Sequence, residues 1–392
     1  MISNSTIALH QKLFINFSNL HLLPVSSPVF LSIPQQTHLL KSFRYLLIPF
    51  SFVYGFIIWI RNWLYDKKIL KSAGFNFPII CIGNLAVGGT GKTPMVEYLV
   101  TLLKDQYQVA TLSRGYKRKT KGFGIADEST TALEIGDEPM QFHQKFPGIT
   151  VAVGEERLTA VPMLLDEMPE TQCIILDDAF QHRPVVAGLN VILTEFKNLY
   201  TRDFLMPAGD LRDSRKSALR ADIIVVTKCK SDLSLSEKEA IIKEINPTET
   251  QQVFFTSIEY TRAYHLFTKG AFDITPDMDL LLVCGIANPK PLQEYLDTSV
   301  QSFDMLKYPD HHIFSIDNLD EIKRQFEQIQ STNKIIVTTE KDGVRLQKFG
   351  DQLKDYPVYV LPIRHTFLFD EGKVFEDRVT GFISSVKKEN RP

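Results

Sequence analysis

One stretch constrains this chain more than any other: PIICIGNLAVGGTGKTPMVEYLVTLLK, residues 78–104. An apolar run of strand composition (78–83) leads into a glycine-rich loop that closes on Gly91-Lys92-Thr93, and an amphipathic segment of helical spacing follows. Strand, loop, GK[ST] and helix in that order form the context of a phosphate-binding loop. Gly88, Gly89 and Gly91, with Thr90 between them, permit a tight backbone approach free of side chains. The loop N–H groups and the helix N-terminus present positive charge to a polyphosphate. Lys92 is then placed for the β- and γ-phosphates of a nucleotide, and the Thr93 hydroxyl for Mg²⁺. Ala86 stands where the strict pattern G-x-x-x-x-G-K-[ST] asks for glycine. The competing reading, a glycine-rich turn that binds nothing, leaves the register of Gly91-Lys92-Thr93 on a helix start unexplained.

Around this loop the chain reads as α/β. Apolar runs at 109–113, 150–153, 173–177, 190–194 and 223–227 alternate with helix-like segments, which implies a parallel sheet covered on both faces. Its ligand is expected beyond the carboxyl ends of the strands. A second set, at 253–259, 280–284, 334–338 and 358–362, implies a smaller C-terminal α/β unit. The expected division is an irregular leader or misassigned start (1–41), a hydrophobic helix (42–75), the phosphate-loop core (76–250) and the smaller unit (251–392). A chain of 392 residues has room for two cores.

The net charge of −2 hides an asymmetry: Lys12, Lys41, Arg44, Arg61, Lys67, Lys68 and Lys71 face a single acid, Asp66, in the first 71 residues. Within that basic region lies YLLIPFSFVYGFIIWI, residues 45–60, followed by Trp63 and Tyr65. The run falls short of the ~20 apolar residues that span a bilayer. Tryptophan and tyrosine beside basic residues mark an interfacial anchor, with a buried core helix as the alternative. Basic charge confined to an apolar, aromatic segment points to a membrane surface and away from nucleic acid. Four scattered cysteines without a C-x-x-C pair read as reduced core thiols.

Three further stretches carry chemistry. CIILDD (173–178) is an apolar strand ending in Asp177 and Asp178, a Walker B arrangement for Mg²⁺ or its water, with Gln181 and His182 in the loop beyond. In Gly136-Asp137-Glu138-Pro139 the carboxylates serve either as a helix cap or as acceptors of a hydroxyl proton. Asp310-His311-His312 reads as a tuned imidazole or as solvent-facing polar residues; no Cys or His lies near enough in sequence to complete a zinc site. The loops SRGYKR (113–118) and PAGDLRD (207–213) offer arginines suited to phosphate.

Taken in order, GNLAVGGTGKTP, SRGY, GDEP, ILDDAFQH, PAGDLRD, LRADIIVVTK, GIANP, YPDHHIF and TTEKDGVRL resemble one family, the tetraacyldisaccharide 4′-kinases of lipid A biosynthesis, from about Arg44 almost to the C-terminus. The resemblance implies a P-loop core, a smaller C-terminal domain and a membrane-associated N-terminal helix. It implies transfer of the ATP γ-phosphate to the 4′-hydroxyl of a tetraacyldisaccharide 1-phosphate, giving lipid IVA, with Mg²⁺ as cofactor. By motif it places Lys92 and Thr93 on ATP and Mg²⁺, and Asp137 with His311 as a catalytic dyad. It makes Glu138, Asp177 and Asp178 acidic partners of the metal, and Tyr116, Arg157, Gln181 and Arg212 substrate contacts. Ala179 and Asp213 depart from the family's usual glycine and glutamate. Neither position carries an assigned catalytic group. The expected setting is the cytoplasmic face of the bacterial inner membrane, with an acylated disaccharide as substrate and no nucleic acid or obligate protein partner. Because Asp137 and His311 fall in different units, a cleft that closes on its substrates is expected.

The rival from another class is a membrane-associated P-loop GTPase or ATPase switch. It fits less well, since Lys230 occupies the position where the guanine-reading [NT]-K-x-D motif requires aspartate. A kinase for a soluble sugar would leave the anchor without a purpose.

Overall fold

A computed structural model describes Arg44 and residues 46–389. The expected leader, 1–41, lies outside the described residues, as does Tyr45 at the start of the anchor run. The strand of the phosphate loop, β1 (Ile79–Asn84), sits in the middle of a nine-stranded sheet. The other strands of this sheet are β2 (Val109–Ser113), β3 (Gly124–Ile125), β4 (Thr150–Val153), β5 (Cys173–Asp177), β6 (Leu189–Glu195), β7 (Ile223–Thr227), β8 (Gln252–Tyr260) and β15 (Ile363–Phe367). Their order is β15-β8-β7-β6-β1-β5-β2-β4-β3, parallel throughout except for β15 and β3 at the two edges. Alternate residues of β1 face two separate cores: Ile79 and Cys81 one, Ile80 and Ile82 the other. That is why the strand reads as a continuous apolar run. Helices α2 (Lys92–Leu103), α3 (Asp137–Lys145) and α9 (Gly372–Glu389) cover one face, α4 (Arg157–Glu167) and α5 (Leu235–Ile245) the other.

Apart from a short parallel pair, Ala73–Gly74 with Val185–Val186, the other strands are β9 (Ala263–His265), β10 (Ala271–Phe272), β11 (Asp279–Cys284), β12 (Ser302–Lys307), β13 (Lys334–Thr339) and β14 (Val358–Leu361). β9 to β14 make a six-stranded sheet ordered β10-β9-β14-β13-β11-β12, with four parallel strands from β14 to β12. Helices α6 (Lys290–Ser299) and α7 (Ile316–Gln328) pack on opposite faces. Helix α8 (Glu340–Leu346) leaves β13 and packs against α3, joining the two halves. The segment 251–392 is shared between both sheets: β8 opens it and β15 and α9 close it in the larger one.

Helix α1 (Ile48–Asp66) lies outside both cores and is docked by polar contacts along one stripe. Ser51 Oγ donates to Leu205 O at 2.8 Å, Tyr54 OH to Arg212 O at 2.9 Å and Asn62 Nδ2 to Asp213 Oδ1 at 2.8 Å. A Cβ on Gly55 would come within 2.9 Å of Leu205, so glycine there lets the helix sit close. The opposite stripe leaves Phe50, Phe52, Val53, Phe56, Ile57 and Trp59 exposed. No helix among the described residues is long and apolar enough to cross a membrane.

Candidate active site

The loop after β1 has two arms. In the first, Val87 N donates to Asp210 O and Arg212 N to Leu85 O, both at 2.8 Å, with Ala86 bridging to Leu211. This extended arm keeps Ala86 out of the positive-φ region, so no glycine is required there. In the second arm Gly88 (φ 110°) and Gly91 (φ 89°) adopt conformations that disfavour a side chain. Gly88 and Gly89 face open space. Thr90 is fixed by Asn84, whose Nδ2 donates to Thr90 Oγ1 at 2.9 Å. Lys92 and Thr93 open α2.

The Lys92 ammonium lies 3.7 Å from Asp178, which Arg212 holds in a two-pronged pair, Nη1 to Oδ2 at 3.0 Å. Burial pulls the Lys92 pKa down, opposed by Asp178. Asp178 is pushed up by burial, but Lys92 and Arg212 outweigh that and hold it low. Asp177, at the end of β5, accepts from Ser113 Oγ at 3.2 Å and has no ion-pair partner among the described residues. Burial, then repulsion from Asp178, pushes its pKa up to about 6. A buried carboxylate short of compensating charge fits a divalent cation. The described residues gather no group of three or more His, Cys, Asp or Glu side chains that would hold a metal by themselves. Mg²⁺ in nucleotide sites takes one or two carboxylates and lets phosphates and water supply the rest, so the donors here suit it.

The second cluster forms where α3 meets α8. His311 Nδ1 lies 2.9 Å from Asp137 Oδ2, and Arg345 Nη2 donates to the same oxygen at 2.6 Å. An ionised carboxylate only accepts, so in its contact with Asp137 His311 carries a proton on Nδ1, which also lies 3.0 Å from Arg345 Nη2, while Nε2 lies 3.9 Å from Asp310 Oδ2. Arg345 is itself held by Asp342, buried in the smaller half, at 3.1 Å. Burial pushes Asp137 up, yet the His311 and Arg345 hydrogen bonds win and keep it well below the usual carboxylate range. Glu138, one residue on, pairs with Lys341 at 2.8 Å. The Tyr116 ring meets His311 edge-on at 5.9 Å. Gly136, then Asp137 and Met140 of α3, with His311, Ile313 and Arg345, line a cavity of about 620 Å³ beside the Asp137–His311 pair.

The structure thus brings Asp137 and His311 together, and Lys92, Asp178 and Arg212 together, while Asp177 senses both Lys92 and Glu138. Two residues expected at the substrate are otherwise occupied. Arg157 is 2% exposed and donates to the carbonyls of Gly154 and Asp177 at 2.8 and 3.3 Å. Gln181 Nε2 donates to Asn84 O at 2.6 Å, and its own carbonyl accepts from Arg61 of α1. Sequence reading missed Arg345, Asp342, Lys341, Asn84 and Ser113. All five sit inside motifs singled out above: Asn84 in GNLAVGGTGKTP, Ser113 in SRGY, and Lys341, Asp342 and Arg345 in TTEKDGVRL.

A family model described as Tetraacyldisaccharide-1-P 4′-kinase matches residues 43–383. Among similar proteins, the tetraacyldisaccharide 4′-kinase of Flavobacterium johnsoniae is 47% identical, covering 83% of this chain and 93% of its own. That of Bacteroides thetaiotaomicron is 41% identical over 88% of this chain and 94% of its own. The solved structure of LpxK from Aquifex aeolicus in complex with ATP superposes with a TM-score of 0.68 at 31% identity, covering 87% of this chain and 99% of that one. The chain belongs to the tetraacyldisaccharide 4′-kinase family.

Proposed function

We infer that this enzyme moves the γ-phosphate of ATP onto the 4′-hydroxyl of a tetraacyldisaccharide 1-phosphate, at the cytoplasmic face of the inner membrane. The observation that carries the site assignment is the Asp137–His311 contact, an acceptor-activating pair for which a nucleotide switch has no use. Lys92, Thr93 and the loop amides hold the triphosphate. Asp177, with Thr93 and with Asp178 and Glu138 nearby, would hold Mg²⁺, which when bound would supply charge neutralisation for the transferring phosphoryl group. Asp137 accepts the hydroxyl hydrogen bond and aims the oxygen at phosphorus. A carboxylate this weakly basic takes the proton late, once bond formation has made the hydroxyl acidic, and His311 orients it. Because transfer proceeds through a loose transition state, orientation and charge neutralisation matter more than base strength. Tyr116 and Arg212 flank the acceptor, while Arg157 braces the turns after β4 and β5 and Gln181 braces Asn84 at the end of β1. The two sheets act as jaws that meet at the Asp137–His311 seam and close over the substrates.

The exposed stripe of α1, flanked by Arg44 and Lys67, suits an interface helix lying on anionic lipid. Its docked stripe bonds the backbones of Arg212 and Gln181, whose side chains reach Asp178 and Asn84, so the anchor sets where the site mouth faces. The test is transfer of labelled γ-phosphate from ATP to the lipid acceptor in detergent micelles, with and without Mg²⁺. Mg²⁺-dependent label in the lipid, abolished in Lys92→Ala, is the expected result. Hydrolysis without labelled lipid would overturn the reading. Phe52→Asp/Phe56→Asp should release the protein from anionic vesicles; unchanged sedimentation with them would refute the anchor.

A further inference from the structure

Two side chains from the far half of the large sheet grip the backbone of the phosphate loop from beneath. His365 stands on β15, 2% exposed, with Nε2 2.9 Å from Gly91 O and Nδ1 2.9 Å from Thr256 Oγ1 of β8. A carbonyl oxygen only accepts, so Nε2 carries the proton and Nδ1 accepts from the Thr256 hydroxyl. Burial drops the His365 pKa to about 4, so the ring keeps this neutral form. From β7, Thr227 Oγ1 donates to Thr90 O at 2.8 Å. The peptide group is planar and trans, which turns each C=O and the next N–H in opposite directions. Holding the Thr90 and Gly91 carbonyls toward the sheet therefore turns the N–H groups of Gly91 and Lys92 away from it, toward the loop mouth. The approach leaves no slack, since a Cβ on Gly91 would lie 3.0 Å from the His365 ring.

We propose that His365 is a positioning residue for phosphoryl transfer: by donating to the Gly91 carbonyl it fixes the Gly91–Lys92 peptide so that the Lys92 amide faces the nucleotide phosphates. His365 touches neither substrate and acts only through the loop backbone. This rests on the nucleotide reading of that loop. It also gives the route of the chain a consequence. After β14 the polypeptide leaves the smaller sheet and returns through β15 to place this one ring under the loop.

The experiment compares the full-length enzyme with His365→Leu, His365→Asn and His365→Gln. The glutamine amide nitrogen reaches about as far as Nε2, whereas that of asparagine falls near Nδ1 and stops short of Gly91. Binding of Mg·ATP is measured by calorimetry, alongside KM for ATP, KM for the lipid acceptor and the melting temperature. The leucine and asparagine variants are expected to lose about tenfold in ATP affinity, equivalent to ~1.4 kcal/mol. Their KM for the acceptor should stay within about twofold of the parent, because uniform loss on one substrate does not touch the other. Glutamine should recover most of the ATP affinity. Parent-like ATP binding by the leucine variant would overturn the proposal. So would equal losses in all three variants tracking their melting temperatures, the pattern of a packing role alone. ATP binding by the parent without transfer would count against the kinase and leave the His365 comparison intact.

Discussion

Where α2, α3 and α8 meet, Lys145 Nζ lies 2.7 Å from Glu97 and 2.6 Å from Glu340, whose side chains are 5% and 6% exposed. One ammonium serves two buried carboxylates, so the trio carries excess negative charge when all are ionised. Burial, then repulsion from Glu340, pushes Glu97 up to about 7. A carboxyl whose folded pKa exceeds its unfolded value of ~4.3 binds its proton more tightly in the folded state. Its contribution to stability is full below pH ~4.3 and is lost as pH rises through about 7. A rise of that size corresponds to an upper bound of ~3–4 kcal/mol at 1.36 kcal/mol per tenfold. Because Lys145 answers both glutamates, about 1–3 kcal/mol is the working figure for Glu97. Glu97→Gln removes the excess charge, and the neighbourhood can absorb the amide. Gln141 Nε2 donates to Glu97 Oε1 at 2.7 Å while Gln141 Oε1 has no partner. After a flip of Gln141, its oxygen accepts from the new amide, whose own oxygen keeps Lys145. Urea unfolding at pH 5, 6, 7 and 8 is the assay. The variant should match the parent or exceed it by about 1–2 kcal/mol at pH 8, and the slope between pH 5 and 7 should flatten. Lys145→Met, which strands both carboxylates, should lose ~3–5 kcal/mol. A loss above ~2 kcal/mol at pH 8 in Glu97→Gln, with the slope intact, would refute the reasoning.

Asp137→Ala and His311→Ala should each lower kcat by about 10²–10⁴, and the double variant by scarcely more than either; multiplying losses would break the dyad. Arg345→Met removes one of the two donors that hold Asp137 acidic, so the Asp137 pKa climbs and the acidic limb of the kcat profile moves to higher pH. An unmoved limb with kcat reduced would make Arg345 a structural brace alone. Ala86→Gly should leave the KM for ATP within about twofold and lower stability by ~0.5–1 kcal/mol, since the backbone there needs no positive φ. A large gain in ATP affinity would show that the missing glycine matters.

The parallel strands were legible because burial on both faces writes a continuous apolar run, as in 79–82 and 223–226. β12 was not. Its sequence SFDMLK alternates exposed and half-buried positions at the edge of the smaller sheet, and such a strand lacks the apolar signal of a central one. β15 was hidden for a different reason. IRHTF follows Pro362 directly after β14, and nothing local says that the chain changes sheets there. Membership in a sheet is decided by which edge is open when the segment arrives, a tertiary property.

The same distinction runs through the site. Gly88, Gly91, Lys92 and Thr93 are legible because backbone geometry and phosphate chemistry restrict those positions to very few residue types at fixed spacing. Asp177 and Asp178 are legible from their place at a strand end. Arg345 is an arginine on a short helix, where a solvated side chain is the ordinary outcome. It reaches Asp137 only because α8 packs on α3 and Asp342 holds the guanidinium in place. Arg157 shows the converse. The family resemblance implied a substrate contact, yet the carbonyls of Gly154 and Asp177 use its guanidinium to fix the turn beyond β5. A charged residue's type states which partners it can satisfy; the topology decides whether those partners are a ligand or the backbone that shapes the ligand's site.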